Sequence, residues 1–144
     1  SYLNRVRSKL TKDDLPALKR LVQTKSWWDS VDSLSGTIGD LVLRWPELKQ
    51  EMLAWSVDPD LWTRRVAIIH QLEFKAQTDT DLMTQIILNN LGSREFFINK
   101  AIGWCLRQFS WTNPGWVAAF VREHEAVLSN LSKREATKRL PPTA

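Results

Sequence analysis

Sulfur and imidazole are scarce in this sequence. Cys105 is its one cysteine among 144 residues. A disulfide framework is therefore excluded, and a lone thiol fits a reducing compartment. His70 and His124 are the only histidines. One cysteine and two distant histidines do not make a zinc set, and neither a Ser–His nor a Cys–His nucleophile is supported. Asp58-Pro59-Asp60 and Asp79-Thr80-Asp81 lack the glycine and the distal glutamate of a calcium loop, so they read as helix-entry residues. A glycine-rich phosphate loop is missing too. No metal and no cofactor is expected. No apolar run reaches 18 residues and no signal peptide is visible, so no membrane partner is expected either.

Tryptophan is what the chain has in excess. Trp27, Trp28, Trp45, Trp55, Trp62, Trp104, Trp111 and Trp116 stand beside a single tyrosine. Most should fill the core, with two or three left over for binding. Apolar residues make up 43% of the chain, enough for one core. The net charge of +4 and pI near 9.5 suit an anionic partner without requiring one.

The punctuation is helical throughout. Thr11-x-x-Asp14, Ser26-x-x-Asp29 and Ser132-x-x-Glu135 read as capping boxes or close variants. Asp60 and Ser93 read as caps of two more helices, and Gly92 and Asn113-Pro114 as breaks. The pattern predicts helices near 2–10, 12–24, 27–44, 47–56, 60–75, 79–91, 94–110, 114–127 and 132–140, with no strand. The opening SYLNRVRSKL already reads as a helix in progress, so 1–144 is expected to be one domain that forms the C-terminal part of a longer one.

Trp27, Trp62 and Phe97 recur every 35 residues, and the Ser132–Ala136 segment follows after another 35. A period of this length built from helix pairs is the signature of an α-solenoid, in which stacked pairs share a core and present a concave face. The bland reading is a plain bundle with chance spacing.

On three of these helices some residues fall outside the pattern. Trp27, Val31, Leu34, Ile38 and Leu41 form one apolar stripe, so Trp27 is expected in the core. Trp28 and Asp32 lie one turn apart, off that stripe. They read either as a boundary tryptophan beside a solvated acid or as a binding pair. Arg65 falls inside the stripe of Leu61, Ile68, Ile69 and Leu72. It must find a partner, with Asp32 as a candidate, or carry its head out to water. Ile98, Ala101, Cys105 and Phe109 make the next stripe, which leaves Lys100, Trp104 and Arg107 outside it. A tryptophan between two cations suits a phosphate-and-base surface, or it packs under a neighbouring helix. A strict 35-residue register does not align Asp32 with Arg65; a spacing near 33 does.

One reaction needs only such residues. A purine alkylated at N3 or N7 carries a positive charge and leaves as a neutral base. No strong acid is required, while a nearby carboxylate stabilises the oxocarbenium-like sugar. Tryptophan faces attract the cationic base by about 0.5–2 kcal/mol.

The segments TKSWWDSVD (24–32), DLWTRRVAI (60–68), REFFINKAIGWCLRQF (94–109), TNP (112–114) and LSKREA (131–136) together resemble the AlkD family of DNA alkylation-repair glycosylases. The resemblance runs over nearly the whole chain. It implies an all-α fold, a right-handed α-solenoid of antiparallel HEAT-like helix pairs. It further implies a monomer in the bacterial cytoplasm, at the nucleoid when acting, that removes N3- and N7-alkylated purines from double-stranded DNA. Asp32 is then the catalytic carboxylate, and Trp28, Arg65 and Trp104 contact the lesion nucleotide. Arg64 competes with Arg65 for the active-site arginine. Arg64, Phe96, Phe97, Lys100, Arg107, Lys133 and Arg134 are the implied DNA contacts, the Phe96–Phe97 pair either packing or approaching the DNA. The family normally has several more N-terminal helices than the matched part holds. The alternatives are a non-catalytic nucleic-acid-binding module and a protein-interaction scaffold.

Overall fold

In the structure, a computed structural model, residues 7–25 and 27–141 are described. Among them are eight α-helices and no strand. The helices are α1 (Leu15–Lys25), α2 (Trp28–Arg44), α3 (Lys49–Trp55), α4 (Leu61–Ile69), α5 (Thr80–Leu88), α6 (Phe96–Ser110), α7 (Pro114–Glu123) and α8 (Asn130–Ala136). Short 3-10 turns at Arg7–Lys9 and Lys12–Asp14 precede α1, and others at Pro46–Leu48 and Lys75–Gln77 lie between α2 and α3 and between α4 and α5. Most of the helix expected over 2–10 lies outside the described residues.

Local chemistry explains where most helices begin. Thr11 accepts from the Asp13 N–H, and the Asp14 carboxylate accepts in return from the Thr11 N–H at 2.8 Å, which closes the expected capping box. Asp60, Asp79 and Asn113 each accept from a backbone N–H three residues on. Pro114 follows Asn113 at the first helical position, where its missing N–H costs nothing.

Several expected boundaries are corrected. Ser132 is not a cap. Ser129 caps α8 by accepting from the Ser132 N–H, and Ser132 sits buried inside the helix, its hydroxyl donating to the Asn99 carbonyl at 2.8 Å. Glu95, not Ser93, is the residue before α6; Ser93 accepts from the Glu95 N–H and closes the turn ahead of it. Ser26 lies outside the described residues. The helix expected over 60–75 stops at Ile69, because Gln71 accepts from the Asp79 N–H at 2.8 Å and folds the chain back.

Trp27 is the main correction to the core. It was expected at the head of the α2 stripe but is 64% exposed. Its backbone is extended, at φ −131° and ψ 124°, so the helix begins one residue later and the helical phase does not reach it. The rest of that stripe, Val31, Leu34, Ile38 and Leu41, is buried. So are Ile98, Ala101, Cys105 and Phe109 on α6.

The helices stack as a solenoid. The second helices of successive pairs, α2, α4, α6 and α8, touch one another in turn. Side chains bridge this row at nearly constant separation, 33 residues for Asp32–Arg65 and Ser132–Asn99, and 35 for Lys100–Glu135. The repeat therefore runs at 33 to 35 residues, which is why a rigid register of 35 misaligned Asp32. Glycine sets two of the seams. A Cβ on Gly39 would run into the His70 carbonyl, and one on Gly103 would stand 2.5 Å from the Glu135 Cβ.

Candidate active site

Asp32 lies in the second turn of α2 and Arg65 in the second turn of α4. Stacking of these two helices brings the side chains face to face. Arg65 Nε donates to Asp32 Oδ1 at 2.9 Å, and Nη2 donates to Oδ2 at 3.0 Å. The contact is the two-pronged arginine–carboxylate fork, which fixes direction as well as distance. Arg65 Nη1 donates to the Phe97 carbonyl at 2.7 Å, in the first turn of α6. Three successive repeats thus meet at one guanidinium.

The surroundings are nearly dry. The Arg65 side chain is 5% exposed and that of Asp32 16%. A charge in such a place is tolerated only with its hydrogen bonds made. Aromatic rings complete the enclosure, with the Phe97 and Trp104 ring centres each 5.7 Å from Arg65 Cζ. Phe97 is wedged in turn between Trp62, at 4.9 Å, and Phe96, at 5.3 Å. Of the two fates open to Arg65, pairing with Asp32 is the one the fold adopts.

Beside this pair the surface sinks into a depression of about 230 Å³. Asp32, Ser35, Gly36, Trp104, His70 and Arg7 all line it. Trp104 is half-buried and packs against the core while also lining this depression. The side chain of Trp28 lies outside the described residues. A larger open groove, of about 930 Å³, runs between α7 and α8 and shares none of these lining residues.

The remaining expected contacts fall elsewhere. Arg64 turns away from Asp32 and donates through Nη1 to the carbonyls of Asp58 and Pro59, at 2.8 and 3.1 Å. Of the two arginines, Arg65 is the one that pairs with Asp32. Phe96 is 57% exposed. Lys100 and Arg107 do not flank Trp104 as free cations. Lys100 donates to Glu135 Oε1 at 2.9 Å and Arg107 to Oε2 at 3.0 Å, and Lys138 joins them at 2.9 Å. Bonds from Lys100 and Lys138 pull the Glu135 carboxyl down to about 2. Arg107 and Lys100 keep about a third of their side-chain surface in water. Lys133 is half-buried along the α7–α8 groove, and Arg134 is exposed.

Two participants had no signal in the sequence, and a third had a faint one. The Phe97 carbonyl is a backbone atom, and no residue pattern encodes its use. Glu135 was read as a cap, whereas it is a buried anchor. Ser35 sits one turn beyond Asp32 on the same face, a spacing that does mark it. Its hydroxyl donates to the Asp32 carbonyl at 2.7 Å.

Stacked helix pairs that hold a buried acid–arginine fork beside a tryptophan-lined hollow define a helical-repeat protein with a built polar site. The chain belongs to the DNA alkylation repair enzyme family, whose model matches residues 1–140. Among solved structures, a "Predicted DNA alkylation repair enzyme from Enterococcus faecalis" is 37% identical, with a TM-score of 0.87. The match covers 96% of this chain and 64% of that one, so the chain spans less than two thirds of that protein's length. No curated protein matches it.

Proposed function

We propose that this protein is a DNA glycosylase of the AlkD type, which excises N3- and N7-alkylated purines from double-stranded DNA. The observation that carries the proposal is the Asp32 carboxylate, locked by Arg65 at the wall of a depression that Trp104 also lines, in a member of this repair family.

The chemistry asks little of the protein. The C1′–N bond breaks, and its electron pair goes to the purine nitrogen, cancelling the charge that alkylation placed on the base. The sugar is left oxocarbenium-like. Asp32 supplies the fixed negative charge that this cation needs, and a site of low water content strengthens it. Water then bonds to C1′ and sheds a proton to solvent. The base leaves neutral, so the absence of a histidine or a metal-bound water from the proposed set is no obstacle.

The tryptophans serve the other end of the bond. Trp104 offers an aromatic face to the cationic base, and Trp28, one turn before Asp32 on α2, is assigned the same work. Arg64, Phe96, Lys133 and Arg134 are assigned to the DNA backbone. Lys100 and Arg107 join them through the part of their charge that Glu135 does not offset. Phe97 belongs with the site rather than with the DNA surface, since it packs on Arg65.

Release of 3-methyladenine and 7-methylguanine from methylated duplex DNA tests this. Asp32→Asn is expected to lower the rate by at least about a hundredfold with DNA affinity retained. Release by that variant at the wild-type rate would remove Asp32 from the reaction.

A further inference from the structure

An arginine that grips a DNA phosphate normally presents its fork of N–H groups to solvent, where the backbone arrives. Arg65 does the opposite. Nε and Nη2 are spent on the two oxygens of Asp32, and Nη1 on the Phe97 carbonyl. The Phe97 and Trp104 rings lie close beside the guanidinium. Three of its five N–H groups are bonded, and with 5% of the side chain exposed the remaining two present almost no surface to a phosphate.

The consequence for Asp32 is geometric. A carboxylate held by one bond swings about it. Two parallel bonds from a planar donor fix its plane, and the third bond, to Phe97, stops the donor from rotating. Trp62 holds Phe97 from behind, 4.9 Å away.

We propose that Arg65 works through Asp32: it is a positioning residue that sets the plane of the carboxylate, and it takes no DNA phosphate. This rests on the assignment of Asp32 given above. Phe97 contributes its main-chain oxygen as well as its ring, so the hydrogen bond itself survives substitution by other residues that keep α6 in place. Lysine cannot replace Arg65, because an ammonium makes point contacts and not a fork.

The test is a double-mutant cycle on methylated duplex DNA, read as single-turnover excision rate, as Kd, and as the dependence of Kd on salt. Arg65→Ala and Arg65→Lys are expected to lower the excision rate at saturating DNA by about a hundredfold, since misplacement by about 1 Å has that effect. Kd should stay within about threefold of wild type, with an unchanged salt slope. In the Asp32→Asn background, Arg65→Ala should lower the rate by less than about threefold further, because a residue acting through Asp32 has nothing left to act on. Two results overturn the proposal. One is a Kd at least about tenfold weaker with the salt slope reduced by about one, the mark of a lost phosphate contact. The other is independent losses that multiply in the double variant. Wild-type release by Asp32→Asn instead overturns the assignment of Asp32 itself. Since Arg65→Ala strands a buried carboxylate, Asp32→Asn/Arg65→Gln, uncharged at both positions, provides the folded control. Its DNA affinity should match that of Asp32→Asn, and a loss specific to the Arg65 change counts against the proposal.

Discussion

Lys100 on α6 donates to the Glu135 carboxylate on α8 at 2.9 Å, across the seam between the last two repeats. Arg107, from the same helix, takes the other oxygen. Lys138 reaches in from just beyond α8. One buried anion thus collects three cations that would otherwise face the solvent.

Substitution of Glu135 by Gln is expected to act in two directions. Stability should fall by about 1–3 kcal/mol, a moderate figure because the three cations are partly hydrated. Binding to duplex DNA should tighten, with a salt slope steeper by about one or more, because the cations lose their internal counter-charge. Chemical denaturation and Kd at several salt concentrations report the two effects. The wild-type contribution also has a defined pH window. The carboxyl drops from an ordinary 4.5 to about 2 on folding, so its stabilising effect is complete above 4.5 and is lost as the pH falls toward 2.

His70 makes stability pH-dependent at a higher range. Its ring is buried, and the Nδ1–H tautomer donates to the Ala67 carbonyl at 2.7 Å. Burial pushes its pKa from 6.5 to about 4; Lys49 lowers it further, while Ala67 and Asp79 oppose the shift. Between those values the unfolded chain binds a proton that the folded chain refuses. Stability should therefore be highest above pH 6.5 and decline as the pH falls to 4, by up to about 3 kcal/mol. Unfolding free energies at pH 7.5, 6 and 5 check this, and His70→Gln should flatten the slope.

The glycines of α2 should separate cleanly. At Gly39 an added methyl meets the main-chain carbonyl of His70, which cannot step aside. Gly39→Ala is expected to cost about 1–3 kcal/mol and to loosen the α2–α4 seam that carries the Asp32–Arg65 pair. At Gly36 the methyl meets only the tip of Arg7, at 3.0 Å. Gly36→Ala should be neutral or stabilising by up to about 1 kcal/mol, because alanine suits a helix better. A comparison of their thermal midpoints decides it.

Helix content and stacking were legible because both are written in periodic signals: caps, apolar stripes and a repeat near 35 residues. Asp32 and Arg65 were legible as misfits, one off its stripe and the other inside it. Trp27 was misread because periodicity cannot say where a helix starts, and without a capping side chain the stripe extends one residue too far on paper. The Arg65–Phe97 bond was hidden because a main-chain acceptor leaves no mark on composition. Lys100 and Arg107 were legible as cations, but their common anchor lies 35 and 28 residues away, on a helix taken to begin elsewhere.

The guanidinium that joins α2, α4 and α6 has a mechanical meaning. Each contact comes from a different repeat, so the carboxylate's orientation is a function of the pitch between neighbours. A small change in how the repeats fan apart turns the Asp32 oxygens relative to the hollow, even if no residue beside them is altered. The curvature of the whole stack is thereby part of the site's tolerance, and a distant wedge between helices is felt as a misaimed charge.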